Sequence, residues 1–170
     1  CPPVLKDYWV RVLSDFEVAA DVESLGKLDK VIEEGSDRYK YIFIDEAHRF
    51  RNADTENFSK LHKICYGKKV VLISATPQNN YTTDIANQIF LFQQKNNSTI
   101  IPNEKNIEGF FNKLNSNLKK NKDDKEKYLK ILKENSGVIR DKVLRNIMIR
   151  RTRTEIVKYY DEDLKKQGLK

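Results

Sequence analysis

Tyr41 to Asn52 read YIFIDEAHRFRN, four apolar or aromatic residues followed by two acids, an alanine and a histidine. The run Tyr41–Ile44 has the composition of a short strand buried on both faces, as in a parallel sheet covered by helices. Asp45 and Glu46 then fall at the carboxyl end of that strand, the edge at which open α/β sheets bind their ligands. Two adjacent carboxylates are costly to bury unless they meet a cation or a reacting water. The expectation is a parallel α/β sheet with an acidic site at its rim.

The flanking sequence supports that sheet. Upstream, Val4, Leu5, Tyr8, Trp9, Val12 and Leu13 recur at helical spacing after the pair Pro2-Pro3, which predicts a helix. FEVAADVES, from Phe16, is strand-like, and LGKLDKVIEE returns to helical character before Gly35 and Ser36 interrupt it. Downstream, ENFSKLHKICYG carries an apolar stripe at Phe58, Leu61, Ile64 and Cys65 and stops at Gly67. KKVVLISATP is a β-branched run that closes on Pro77. Strand alternating with helix implies parallel strands joined by crossovers.

Beyond Pro77 the chain turns helical. DIANQIFLFQ presents Ile85, Ile89 and Phe92 on one side, and QKNNSTIIPNEKN is a polar loop. A stripe of Ile107, Phe110, Phe111, Leu114 and Leu118 resumes at Tyr128, Leu129, Ile131 and Leu132 after the lysine-rich KKNKDDKEK. This predicts an antiparallel helical arm with a charged tip. RNIMIRRTRTEI, from Arg145, then reads as a closing strand, centred on Asn146 to Arg150. The expected organisation is a partial sheet lobe over residues 1–106, a helical arm inserted at 107–145, and a closing strand with the start of a connection at 146–170.

Composition limits the functions available. The 170 residues are 39% hydrophobic and 34% charged, enough for one buried core. A formal net charge of +7 favours a polyanionic partner, although solvated lysines alone produce the same figure. Cys1 and Cys65 have no metal-ligand or redox spacing and suit a reducing compartment. No apolar run is long enough to span a bilayer, so no membrane role is expected and the chain reads as cytoplasmic. The missing initiator methionine and the polar run DEDLKKQGLK suggest an excerpt of a longer protein.

An Asp-Glu pair at a strand end suits metal-assisted hydrolysis of a nucleotide. Phosphoryl transfer requires a cation to neutralise phosphate charge and a group to orient the attacking water, and two acids can divide those roles. Asp45 is the candidate magnesium ligand and Glu46 the candidate base. The bland alternative is an acid pair capping the next helix, where the dipole favours carboxylates.

DEAH after a hydrophobic strand, with SATP at Ser74 to Pro77 ending the next, resembles motifs II and III of superfamily-two helicases and translocases. DEAHRFRN further resembles the signature of the Snf-type translocating ATPases, the family of chromatin remodellers and their bacterial relatives. SATPQNN is similar to that family's motif III, with the glutamine here directly after Pro77. LRNIMIRRTRTEI, with Arg150 and Arg151, resembles the segment that closes the family's first lobe. CPPVLKDYW resembles motif Ia, including Trp9, and VESLGKL stands in the place of motif Ib. The resemblance implies a first RecA-like lobe that uses ATP and magnesium. It implies that Asp45 binds the metal, that Glu46 acts on water, and that His48, Ser74 and Thr76 couple the nucleotide to nucleic acid. Pro3, Lys6 and Ser24 are implied contacts to the tracked strand, while His62, outside any motif, is expected to be structural.

The phosphate-binding pattern Gly-x-x-x-x-Gly-Lys-Ser/Thr does not occur. The implied lobe is therefore incomplete, lacking its phosphate-loop strand, and inactive by itself. The expected activity of the whole protein is movement on double-stranded DNA driven by ATP, in partnership with a second RecA-like lobe of the same chain. A bacterial version would be nucleoid-associated. Two other readings stand beside it: a strand-separating helicase or restriction-enzyme motor, and a non-catalytic nucleic-acid-binding module.

Overall fold

The computed structural model describes residues 1–75, 82–150 and 153–166. It is an α/β protein rich in helix, with a small parallel sheet. After a 3-10 turn at Pro3–Leu5 come α1 (Lys6–Asp15), α2 (Leu28–Glu33), β1 (Tyr41–Ile44), α3 (Glu56–Cys65) and β2 (Lys69–Leu72). Then follow α4 (Thr82–Phe90), α5 (Ile107–Lys120), α6 (Lys125–Ile139), a π-helical turn (Arg140–Leu144), α7 (Arg145–Ile147) and α8 (Arg153–Lys166). No helix of the described residues is long and apolar enough to cross a membrane.

β1 and β2 run parallel in the register Tyr41–Lys69 to Ile44–Leu72, joined by α3 as a crossover. Thr55 starts α3 by accepting the N–H of Phe58 on its hydroxyl, at 3.2 Å. Gly67, at φ 71°, ends the crossover in the left-handed region and returns the chain to the sheet. Both elements follow from the sequence as expected.

Three expectations are corrected. FEVAADVES forms no strand: residues 18–24 have neither helical nor strand structure, and Val18 is 51% exposed. The segment is instead tied down by side chains, through ion pairs of Glu23 with Lys6 and Lys30 at 3.3 Å each. The closing strand at Asn146–Arg150 is also absent. Asn146 and Ile147 finish α7, held by Asn146 Nδ2 donating to the carbonyl of Ile100 at 3.1 Å. Ile149 beyond them is 83% exposed and pairs with neither strand. Strand composition without a neighbouring row of backbone donors and acceptors does not make a strand.

The third correction concerns β1, which is buried on one face only. Ile44 is 3% exposed, whereas Tyr41 and Phe43 are 55% and 66% exposed on the other side. The sheet, among the described residues, is covered on one side by the helices and open on the other.

The core lies where α3, α4 and the bases of α5 and α6 meet the covered face. Phe111, Ile107, Ile139 and Val143 are among its most buried side chains, and Phe90 meets Phe111 edge to face at 6.5 Å. Truncating Phe111 to alanine would cost about 3–5 kcal/mol. α5 and α6 form the expected helical hairpin, pinned by Asn135 Nδ2 donating to the Leu114 carbonyl at 3.1 Å. Its root belongs to the common core, and Lys119, Lys120, Lys122, Lys125 and Lys127 are exposed at its tip.

Candidate functional site

The site grows out of the end of β1. Ile44 is buried and its carbonyl accepts the N–H of Ile73 at 2.8 Å, extending the strand pairing by one step. Asp45 then leaves the sheet. Glu46 turns the chain in the left-handed conformation, at φ 54° and ψ 43°, which is costly for a residue with a Cβ and concentrates at functional sites. That turn lets both acids emerge while Ala47 drops to zero exposure beneath them. Ala47 donates its N–H to the Ile73 carbonyl at 3.0 Å, so the acidic turn is tied to the end of β2.

The two carboxylates have different environments. Asp45 Oδ1 accepts the N–H of Glu46 at 2.9 Å, and Oδ2 accepts the indole N–H of Trp9, also at 2.9 Å. Each oxygen retains a lone pair, so the group is oriented but not saturated. Glu46 Oε2 approaches His48 Nδ1 to 2.9 Å, with the two side chains 38% and 33% exposed. That approach is out of line for a hydrogen bond, and the buried Nδ1 makes none. Glu46, at the N-cap of the 3-10 turn Ala47–Phe50 that follows, makes no side-chain capping hydrogen bond.

The donor set fits one metal role. Among the described residues no group of three or more His, Cys, Asp or Glu side chains converges to hold an ion. Magnesium typically takes one or two carboxylates and fills its remaining positions with water and substrate phosphates. Asp45 fits such an ion brought in with a nucleotide, not a resident structural metal.

The other candidate residues fall in four groups. Ser74 follows Ile73 directly, so the Ala47–Ile73 bond sets it beside the acidic turn, half-buried. Thr76 and Arg151 lie outside the described residues. Lys6 sits on α1 and pairs with Glu23, next to Ser24, so the structure brings two of the three proposed nucleic-acid contacts together; Pro3 is exposed at the start of the same helical segment. Burial works to raise the Glu23 carboxyl, but hydrogen bonds from Lys6 and Lys30 outweigh it and hold the group below its usual range. His62 is exposed and stacks on Phe58 at 6.4 Å, consistent with a structural place.

Trp9 is the residue whose role the sequence did not disclose. Its helical position is legible, and Lys6 and Trp9 share a face three residues apart. Its partner 36 residues away is not. An open groove lined by Tyr41, Tyr66, Lys68 and Lys69 lies at the opposite end of the strands, away from the acids.

A model of the SNF2-related domain family matches residues 12–167. Searches of curated proteins and of solved structures find no match.

Proposed function

The chain belongs to the SNF2-related domain family of helicase superfamily two, and from that premise we propose that it is part of the first RecA-like lobe of an ATPase that moves along double-stranded DNA. The observation that carries the reading is the pair of acids at the carboxyl end of β1, one oriented by two hydrogen bonds and the other facing His48. Asp45 would hold magnesium, which when bound supplies charge neutralisation on the phosphates. Glu46 orients the attacking water and accepts its proton. His48, against the Glu46 carboxylate, and Ser74, just beyond the end of β2, couple that chemistry to the nucleic acid together with Thr76.

Pro3, Lys6 and Ser24 contact the tracked strand, with Lys6 exchanging Glu23 for a phosphate. The lobe occupies residues 1–106, the arm 107–145, and the connection to a second lobe begins within 146–170. Because no phosphate-binding glycine loop occurs in the 170 residues, that loop and an arginine from the second lobe complete the site. Positioning and charge stabilisation supply nearly all the catalysis of phosphoryl transfer, so residues 1–170 alone hold no ATP at millimolar concentration. The protein acts inside the cell.

The test compares ATP hydrolysis with and without duplex DNA, alongside displacement of a third strand and separation of the duplex. DNA-stimulated hydrolysis with third-strand displacement and no unwinding is the expected result. Duplex separation would move the assignment to a helicase or restriction-enzyme motor. DNA binding with no hydrolysis by the full-length protein would leave a binding module.

A further inference from the structure

Trp9 lies on a helix that is poorly anchored by packing. No residue of α1 is buried, none belongs to the hydrophobic core, and Tyr8 and Val10 beside Trp9 are 58% and 50% exposed. Two side-chain bonds tie α1 to the rest of the fold: Lys6 to Glu23 at 3.3 Å and Trp9 to Asp45 at 2.9 Å. The Lys6–Glu23 pair ties α1 to the segment before α2, whereas the indole bond is the directional tie from α1 to the acidic turn. An indole N–H can only donate, and the acceptor it has found is an oxygen of the acid at the strand end. The other oxygen of Asp45 is held by the backbone N–H of Glu46. The plane of the carboxylate is therefore defined by one bond from its own turn and one from α1.

We propose that Trp9 is a positioning residue for Asp45, fixing the carboxylate plane so that its remaining lone pairs face an incoming magnesium ion, and that α1 thereby sets the cation affinity of the site. The inference rests on the ATPase reading for its ligand, but the bond itself does not. Outer-shell partners that orient a metal-binding group change metal affinity by about 10- to 100-fold when removed. Trp9 is the sole tryptophan of the 170 residues, and its indole N–H resonance in the full-length protein is assigned as the one lost in Trp9→Phe.

The experiment has two readouts, both taken without turnover on the full-length protein. In the first, Asp45→Asn should move the Trp9 indole N–H resonance upfield and accelerate its exchange with solvent. In the second, Mn2+ binding in the presence of ATP, followed by electron paramagnetic resonance, should weaken by about tenfold in Trp9→Phe, which keeps an aromatic ring and loses the donor. An indole resonance unmoved by Asp45→Asn would overturn the proposal. So would Mn2+ affinity in Trp9→Phe within about twofold of the unsubstituted protein, which lies outside the range for an orienting partner. A protein that binds Mn2+ with ATP as expected yet fails to hydrolyse it would count against the ATPase reading and still support the role of Trp9.

Discussion

Ala47 donates its backbone N–H to the carbonyl of Ile73 at 3.0 Å, and this bond holds the acidic turn against the end of the second strand. With Ile44 fixed on one side and Ala47 on the other, Glu46 has no room to leave the left-handed region, and its φ of 54° is imposed by its neighbours. A residue with a Cβ pays for that conformation and glycine does not.

Glu46→Gly should therefore raise stability while abolishing function. Relief of left-handed strain, reduced by the larger chain entropy of glycine, leaves a gain of about 0.5–1 kcal/mol. Urea denaturation of the folded protein measures it. A loss of stability instead would show that the Glu46 side chain contributes more to the fold than its backbone conformation costs.

The tip of the helical hairpin makes a second case. Lys119, Lys120, Lys122, Lys125 and Lys127 are all exposed, and the residues that root the hairpin, Ile107, Phe111, Ile139 and Val143, are far along the helices from them. Reversing the five charges to glutamate should leave the circular dichroism spectrum unchanged. Duplex DNA affinity should fall, and the slope of log K against log salt should flatten by about 0.9 for each phosphate that the tip no longer neutralises. Unchanged affinity with an unchanged slope would make the tip a solvated surface and nothing more.

The cysteine in the core yields a pH prediction. Burial pushes the Cys65 thiol up to about 12 from an ordinary value of 9.0, with Lys68 pulling weakly the other way. Its raised value favours the neutral thiol in the fold, so its contribution to stability is full below pH 9.0 and is lost as pH rises toward about 12. In a Cys1→Ser background, Cys65 should resist iodoacetamide at pH 8 and react once the chain is unfolded in urea. Alkylation of the folded chain at the rate of a free thiol would contradict its burial.

The parts of the molecule legible from sequence are those governed by local pattern. Tyr41–Ile44 and Lys69–Leu72 form strands because β-branched and aromatic runs are bounded by turns, and they pair because a helix of crossover length separates them. The apolar stripe from Ile107 to Leu118 likewise gives α5. FEVAADVES and Asn146–Arg150 have strand composition, but strand formation is settled by a neighbouring edge, and no local pattern reports whether one is present. At the site, Asp45 and Glu46 were legible as an acid pair at a strand end. The left-handed turn at Glu46 and the bond from Trp9 were not, since one is imposed by tertiary hydrogen bonds and the other joins residues 36 apart.

The most direct test of the central claim is ATP turnover by the Glu46→Gln variant of the full-length protein. Glutamine keeps the size and polarity of the side chain but cannot take a proton from water. If Glu46 is the base, turnover falls by about 10²- to 10⁴-fold while nucleotide binding is largely retained. Turnover within about threefold of the unsubstituted protein would fall short of any general-base contribution and would remove Glu46 from the mechanism.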